Sequence, residues 1–162
     1  MRIGLGWDRH RLVAGRRCVL GGVEFPGEPR GPLGHSDGDA AVHAVIDALL
    51  GAAGLGDIGV LFPDTDPAWR DADSLALLAE TVGRVAAAGW RVVNVDLVLV
   101  CERPRVAPRR GEMRRRLGAV LGLDPADVSV KATRGEGLGP EGRGECVTAQ
   151  AVALLERREA TA

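Results

Sequence analysis

The sequence predicts an α/β protein, of the two-layer α+β kind: a mixed β-sheet with helices packed on one face, in the order β-α-α-β-α-β-β. Three observations carry this expectation. Apolar residues alternate with a period of two near residue 5, over 92–100 and over 128–133. Between these stretches they recur at spacings of three and four, and glycines stand where those helical patterns stop. The chain has 162 residues, 46% of them hydrophobic, so one domain with a real core is expected over 1–162.

Residues 2–8 read as the first strand, with Ile3, Leu5 and Trp7 on one parity and glycines on the other. Residues 17–25, with Gly21-Gly22 inside, predict a short hairpin, and 26–32 a turn-rich loop. A helix is expected from near Ser36, because Ser36-Asp37-Gly38-Asp39 has the capping-box form. Val42, Ile46, Leu49 and Leu50 supply its apolar stripe, and Gly51 or Gly54 its stop. Residues 54–67 read as a long polar loop. A second helix over 73–88 buries Leu75, Leu78, Val82 and Val85 and ends at Gly89. In the strand 92–100, Val93, Val95, Leu97 and Leu99 share one face, and Asn94 and Asp96 share the other with Val92 and Val98. A third helix follows Pro108 through Met113, Leu117, Val120 and Leu121 and closes at Gly122. Strand 128–133 and a glycine-rich loop over 135–144 come next. The tail, 145–157, fits either period. A strand is favoured, because a sheet begun by three strands needs its edges paired.

Composition removes several functions. The 21 basic and 22 acidic groups nearly cancel, which disfavours nucleic acid or an anionic membrane as partner. Aromatic residues are 3% and tyrosine is absent, so base-stacking platforms are not expected. Cys18, Cys101 and Cys146 form neither a disulfide framework nor a zinc knuckle and read as reduced thiols. No uncharged stretch reaches membrane-spanning length, and the chain opens on a strand-like segment rather than a signal peptide. A cytoplasmic protein is expected.

Asp8 and His10 stand two apart on a strand and can converge on one point. With His43 of the first helix they make a two-histidine, one-carboxylate set, suited to a Zn²⁺ with its fourth position open; Mn²⁺ or Fe²⁺ also suits it. The alternative is a solvated Asp8 and two satisfied imidazoles. Asp39 and Asp47 lie four residues either side of His43, where one of them can fix its tautomer. His35-Ser36-Asp37-Gly38 marks a helix entry suited to phosphate. Asp57, Asp64 and Asp66 are loop acids, read as turn residues or as parts of a polyol site with a lid. Lys131, the only lysine, shares a face with Thr133, and Glu136 suits a harder cation such as Mg²⁺. No P-loop, dinucleotide fingerprint or serine elbow occurs. The arginines at 109–110 and 114–116 read as a solvated helix face. The residues point to a small phosphate-handling metalloenzyme. Because its site draws on a strand, a helix and a distant loop, a homo-oligomer with shared sites is expected.

The blocks Gly6-Trp7-Asp8-Arg9-His10, His35-Ser36-Asp37-Gly38-Asp39, Leu55-Gly56-Asp57-Ile58-Gly59, Phe62-Pro63-Asp64-Thr65-Asp66, Asn94-Val95-Asp96, Lys131-Ala132-Thr133, Glu136 and Gly142-Arg143-Gly144-Glu145 span nearly the whole chain. In them the chain resembles the 2-C-methyl-D-erythritol 2,4-cyclodiphosphate synthases of non-mevalonate isoprenoid biosynthesis. The resemblance implies that Asp8, His10 and His43 hold a divalent cation, usually zinc, with Asp47 in support. His35 and Ser36 would meet the diphosphate and erythritol end, and Asp57 and Gly59 the erythritol. Phe62, Asp64 and Asp66 are further substrate-binding candidates in the same region. Glu136 would ligate a Mg²⁺ on the substrate diphosphate. Pro104, Arg105, Val106 and Ala107, with Cys101, would hold cytidine from a neighbouring subunit, and Ala132 and Thr133 would lie at the nucleotide. Lys131 would add charge, and Arg143 would face a central cavity of a homotrimer, where some members meet an isoprenoid phosphate.

The implied reaction is intramolecular phosphoryl transfer with loss of CMP. This chain departs from the common pattern at Trp7, Arg105, Arg134-Gly135, Gly137 and Pro140, none of them a metal-ligand position. A metal-dependent phosphohydrolase and a non-catalytic metal- and nucleotide-binding module are the rival readings.

Overall fold

The computed structural model describes residues 1–158. Strand β1 runs over Arg2–Ala14, longer than the seven residues expected. The chain then forms a hairpin of β2 (Val19–Leu20) and β3 (Val23–Glu24), a short β4 (Arg30–Pro32) and helix α1 (Ala40–Ala53). A single turn α2 (Ile58–Leu61), helix α3 (Ser74–Ala87), strand β5 (Trp90–Val100), helix α4 (Arg110–Leu121) and strand β6 (Val128–Thr133) follow. The short α5 (Gly139–Gly142) and the last strand β7 (Cys146–Arg157) complete it. The region read as loop at 26–32 therefore holds β4, and those at 54–67 and 135–144 each hold one helical turn.

The main sheet has the order β4-β1-β7-β5-β6. Only β5 and β6 are parallel; β7 runs antiparallel between β1 and β5 and closes what would otherwise be two open edges. The tail is thus a strand, and it occupies the centre of the sheet.

Two local features correct the simple alternation. In β1 the glycines, not the large apolar residues, face the helices. A Cβ on Gly4 would sit 1.9 Å from the Ala48 carbonyl oxygen, and one on Gly6 1.9 Å from that of Ala44. Helix α1 lies directly on the strand backbone, through its alanines, while Ile3, Leu5 and Trp7 are left 72%, 68% and 48% exposed on the other face. In β5 a bulge between Val92 and Asn94 adds one residue to the register. Val92 is therefore buried with Val95, Leu97 and Leu99, and Val93 leaves that face.

Helix α1 begins three residues later than a cap at Ser36 would place it. Asp39 is its N-cap and accepts the Val42 N–H at 3.1 Å. The same carboxylate accepts the N–H groups of Gly21 (2.8 Å) and Gly22 (2.7 Å), the two residues at the tip of the β2–β3 hairpin. Both glycines have positive φ, as a tight hairpin turn requires. Gly54, left-handed, ends the helix, as Gly122 ends α4.

Candidate active site

Asp8 and His10 project from β1 on the parity of Gly4 and Gly6, and so towards α1. The glycine contact brings the helix close enough for His43, one residue before Ala44, to reach them. The Oδ2 atom of Asp8 lies 2.8 Å from Nε2 of His10 and 3.0 Å from Nδ1 of His43. The two ring nitrogens are 3.1 Å apart. These three are the metal-capable cluster found among the described residues.

The far side of each ring decides what the near side offers. The Nδ1 of His10 is 2.6 Å from the Leu33 carbonyl oxygen. A carbonyl only accepts, so this nitrogen carries the hydrogen, and when the ring is neutral Nε2 offers its lone pair to a cation beside Asp8. The Nε2 of His43 lies 3.0 Å from Ser74 Oγ and 3.1 Å from Ser36 Oγ. Ser74 donates its own hydroxyl hydrogen to Asp37, leaving the oxygen to accept from His43. Two lone pairs and a carboxylate oxygen thus meet at one point. The edges of a tetrahedral zinc site with ligand distances of about 2.0–2.1 Å are about 3.3 Å. The observed separations lie within half an ångström of that, so the donor set and its spacing fit a divalent cation. Burial works against charge on Asp8, but with the two rings protonated in place of a bound cation, their hydrogen bonds and charges outweigh it and hold the carboxyl far below the usual carboxylate range. Burial likewise opposes charge on His10, yet the contact with Asp8 and the Leu33 carbonyl raise its pKa.

The tautomer of His43 is therefore set by Ser36 and Ser74, not by Asp39 or Asp47. Asp39 is spent on the hairpin and the cap, and Asp47 accepts the Ile58 N–H at 2.8 Å. At the helix entry the Asp39 carboxylate takes the Val42 N–H. Sequence reasoning missed Ser74, with its bond to Asp37, and Arg16. The Arg16 guanidinium donates to the carbonyls of Pro32 (3.3 Å), Gly34 (3.3 Å) and Ser36 (2.8 Å) and so shapes the loop carrying His35 and Ser36. A Ser at a helix start signals only a cap, and a lone Arg signals nothing, so neither was legible.

Two cavities hold most of the remaining candidates. One, of about 470 Å³, is lined by the metal-capable cluster with His35, Ser36, Gly59, Phe62, Asp64 and Trp69. Phe62 packs edge-on against Trp69, with ring centres 5.0 Å apart. The other, of about 610 Å³, is lined by Cys101, Pro104, Arg105, Val106, Ala107, Ala132, Thr133 and Glu136, among others. The two share no residue. Four candidates line neither. Asp57 caps α2, and Asp66 caps the 3₁₀ turn Pro67–Trp69. Lys131 pairs with Asp96 at 2.6 Å on the helix-free face of the sheet, and Arg143 pairs with Glu145 at 2.7 Å.

Fold and site together define an α/β protein with a metal-capable triad and two separate cavities. The model of the YgbB family matches residues 1–156, and the chain belongs to that family. It is 58% identical over 158 residues to the 2-C-methyl-D-erythritol 2,4-cyclodiphosphate synthase of Symbiobacterium thermophilum, covering 98% of this chain and all of that one. It is 59% identical over 155 residues to a bifunctional enzyme IspD/IspF of Anaeromyxobacter sp., covering 96% of this chain but 40% of the relative. The chain thus spans about two fifths of that longer relative. A solved 2C-methyl-D-erythritol-2,4-cyclodiphosphate synthase in its CDP-bound form superimposes with a TM-score of 0.87 at 44% identity, over 96% of this chain and 100% of that one.

Proposed function

We propose that this chain converts 4-diphosphocytidyl-2-C-methyl-D-erythritol 2-phosphate to 2-C-methyl-D-erythritol 2,4-cyclodiphosphate and CMP, in non-mevalonate isoprenoid precursor biosynthesis. The convergence of Asp8 Oδ2, His10 Nε2 and His43 Nδ1 within 3.1 Å carries the reading. A divalent cation held there, zinc in our reading, supplies Lewis-acid stabilisation of charge on the phosphates.

The chain's own residues do the rest. His35 and Ser36 meet the diphosphate and erythritol end from the loop that Arg16 shapes. Gly59, Phe62 and Asp64 bound the same cavity, with Asp57 and Asp66 at its approach. Cys101 and residues 104–107 hold the cytidine, and Ala132 and Thr133 position its phosphates. Glu136 holds a Mg²⁺ with the diphosphate. An oxygen of the 2-phosphate attacks the β-phosphorus, the bond from that phosphorus to the bridging oxygen breaks, and CMP leaves with that oxygen. No protein nucleophile is required. Holding the two ends of one substrate in line supplies proximity.

The two cavities share no lining residue, which supports a site completed by a neighbouring subunit. The exposed stripe of Ile3, Leu5, Trp7 and Val152 supports a homotrimer assembled through the helix-free sheet face. In this reading residues 1–162 are one domain and the protein works in the cytoplasm, where its three free thiols stay reduced.

Phosphorus NMR of the reaction with the cytidyl substrate tests the proposal. CMP and a cyclic diphosphate are expected. Inorganic phosphate or a linear product would establish a phosphohydrolase, and binding without turnover a non-catalytic module.

A further inference from the structure

The larger cavity carries an arginine that the proposed chemistry leaves unused. Arg134 and Glu136 both line it, and Arg134 Nη2 lies 3.2 Å from Glu136 Oε1. The two side chains are 63% and 73% exposed, and exposed pairs of this kind contribute little. Glu136 is held independently of the pair. Its backbone has φ of +51°, unusual for a residue with a Cβ, and its N–H donates to Glu102 Oε1 at 3.0 Å. The loop therefore keeps Glu136 in place whether or not Arg134 touches it. Arg105 and Arg110 line the same cavity and form no ion pair among the described residues. The wall presents three guanidinium groups to whatever enters: two without an ion pair among the described residues, and Arg134, held only by an exposed contact to Glu136.

We propose that Arg134 is the diphosphate-recognising cation of this cavity, and that it exchanges Glu136 for a nucleotide's phosphates on binding, leaving the Glu136 carboxylate free for magnesium. This rests on the nucleotide reading above. A guanidinium offers a planar fork that matches two phosphate oxygens, and its charge-assisted bonds there are stronger than one exposed contact to a carboxylate.

The test is calorimetric titration of the intact protein with CDP and, separately, with cytidine, in magnesium-free buffer and with excess magnesium. Arg134→Gln is expected to weaken CDP about tenfold without magnesium and to leave cytidine unchanged. Arg134→Lys, which keeps charge but not the fork, falls between. Added magnesium recovers part of the loss in Arg134→Gln, because Glu136 is already free. CDP affinity within about twofold of the unsubstituted protein would overturn the proposal. So would cytidine weakening as much as CDP, which would mark a structural role. If the unsubstituted protein bound neither ligand, the nucleotide reading would fall, and the arginine's role with it.

Discussion

The Nε2 of His10 lies 3.1 Å from the Nδ1 of His43, and each ring is turned into that position from behind by a different part of the chain. Leu33 holds one, and Ser74, tied to Asp37, holds the other. Removing a partner behind a ligand disturbs the metal without removing a ligand. Ser74→Ala is expected to weaken zinc about tenfold, because Ser36 still engages His43. His43→Ala is expected to lose the metal and turnover while keeping the assembly. Zinc titration with a competing chelator measures both. Unchanged affinity in Ser74→Ala would remove the serine from the site.

Gly6 separates packing from ligation. Gly6→Ala places a methyl against the Ala44 carbonyl, beside His43, and pushes α1 off β1. Gly4→Ala does the same against Ala48, one helical turn further away. Both should lower stability by about 1–3 kcal/mol in denaturant unfolding. Only Gly6→Ala should also weaken zinc. Equal zinc affinity in the two variants would mean the strand–helix spacing does not set the cluster.

Asp39 joins the β2–β3 hairpin to the start of α1 through three backbone N–H groups. Asp39→Ala leaves those donors without a partner, those of Gly21 and Val42 buried, and should cost about 2–4 kcal/mol. A loss under about 1 kcal/mol in urea unfolding, the usual worth of a cap alone, would show that the hairpin does not depend on it.

Alkaline pH should expose the thiols. Burial first, with nearby acidic groups, pushes Cys18 and Cys101 up to about 12. The folded state then holds protons that the unfolded chain gives up at lower pH. This contribution to stability is full below about pH 9 and is lost as the pH climbs towards 12. With one lysine and no tyrosine, little else titrates in that window. Urea midpoints from pH 8 upward check the slope, and a flat profile would contradict it. At pH 8 the native thiols should resist a disulfide reagent that labels all three after unfolding.

Leu5 lies across the β1–β7 pairing from Val152, both exposed on the helix-free face. Leu5→Glu should leave the monomer folded and zinc bound but abolish assembly and turnover. Sedimentation velocity distinguishes the outcomes. A variant that still assembles would show that the subunits meet elsewhere.

Much of this was legible in the residues. Periodicity placed α1, α3, α4, β5 and β6, and glycines marked where the helices stop. Spacing put Asp8 and His10 on one parity, and the few histidines made His43 their partner. The start of α1 was misplaced because Ser36 and Asp39 both look like caps. The geometry of the backbone chose Asp39, which also serves the hairpin. The bulge at Val93 was invisible because every residue from Val92 to Val95 except Asn94 is apolar, so either register reads equally well.

The chain's own order of residues determined the element types and the chemical nature of the ligand set, because both follow from local spacing and side-chain type. Only the folded arrangement decided which face of β1 is covered. Alternation says that two faces exist, but steric contact selects between them. The glycine face admits a helix backbone that the Ile3–Leu5–Trp7 face would hold away, and that approach brings His43 to Asp8 and His10.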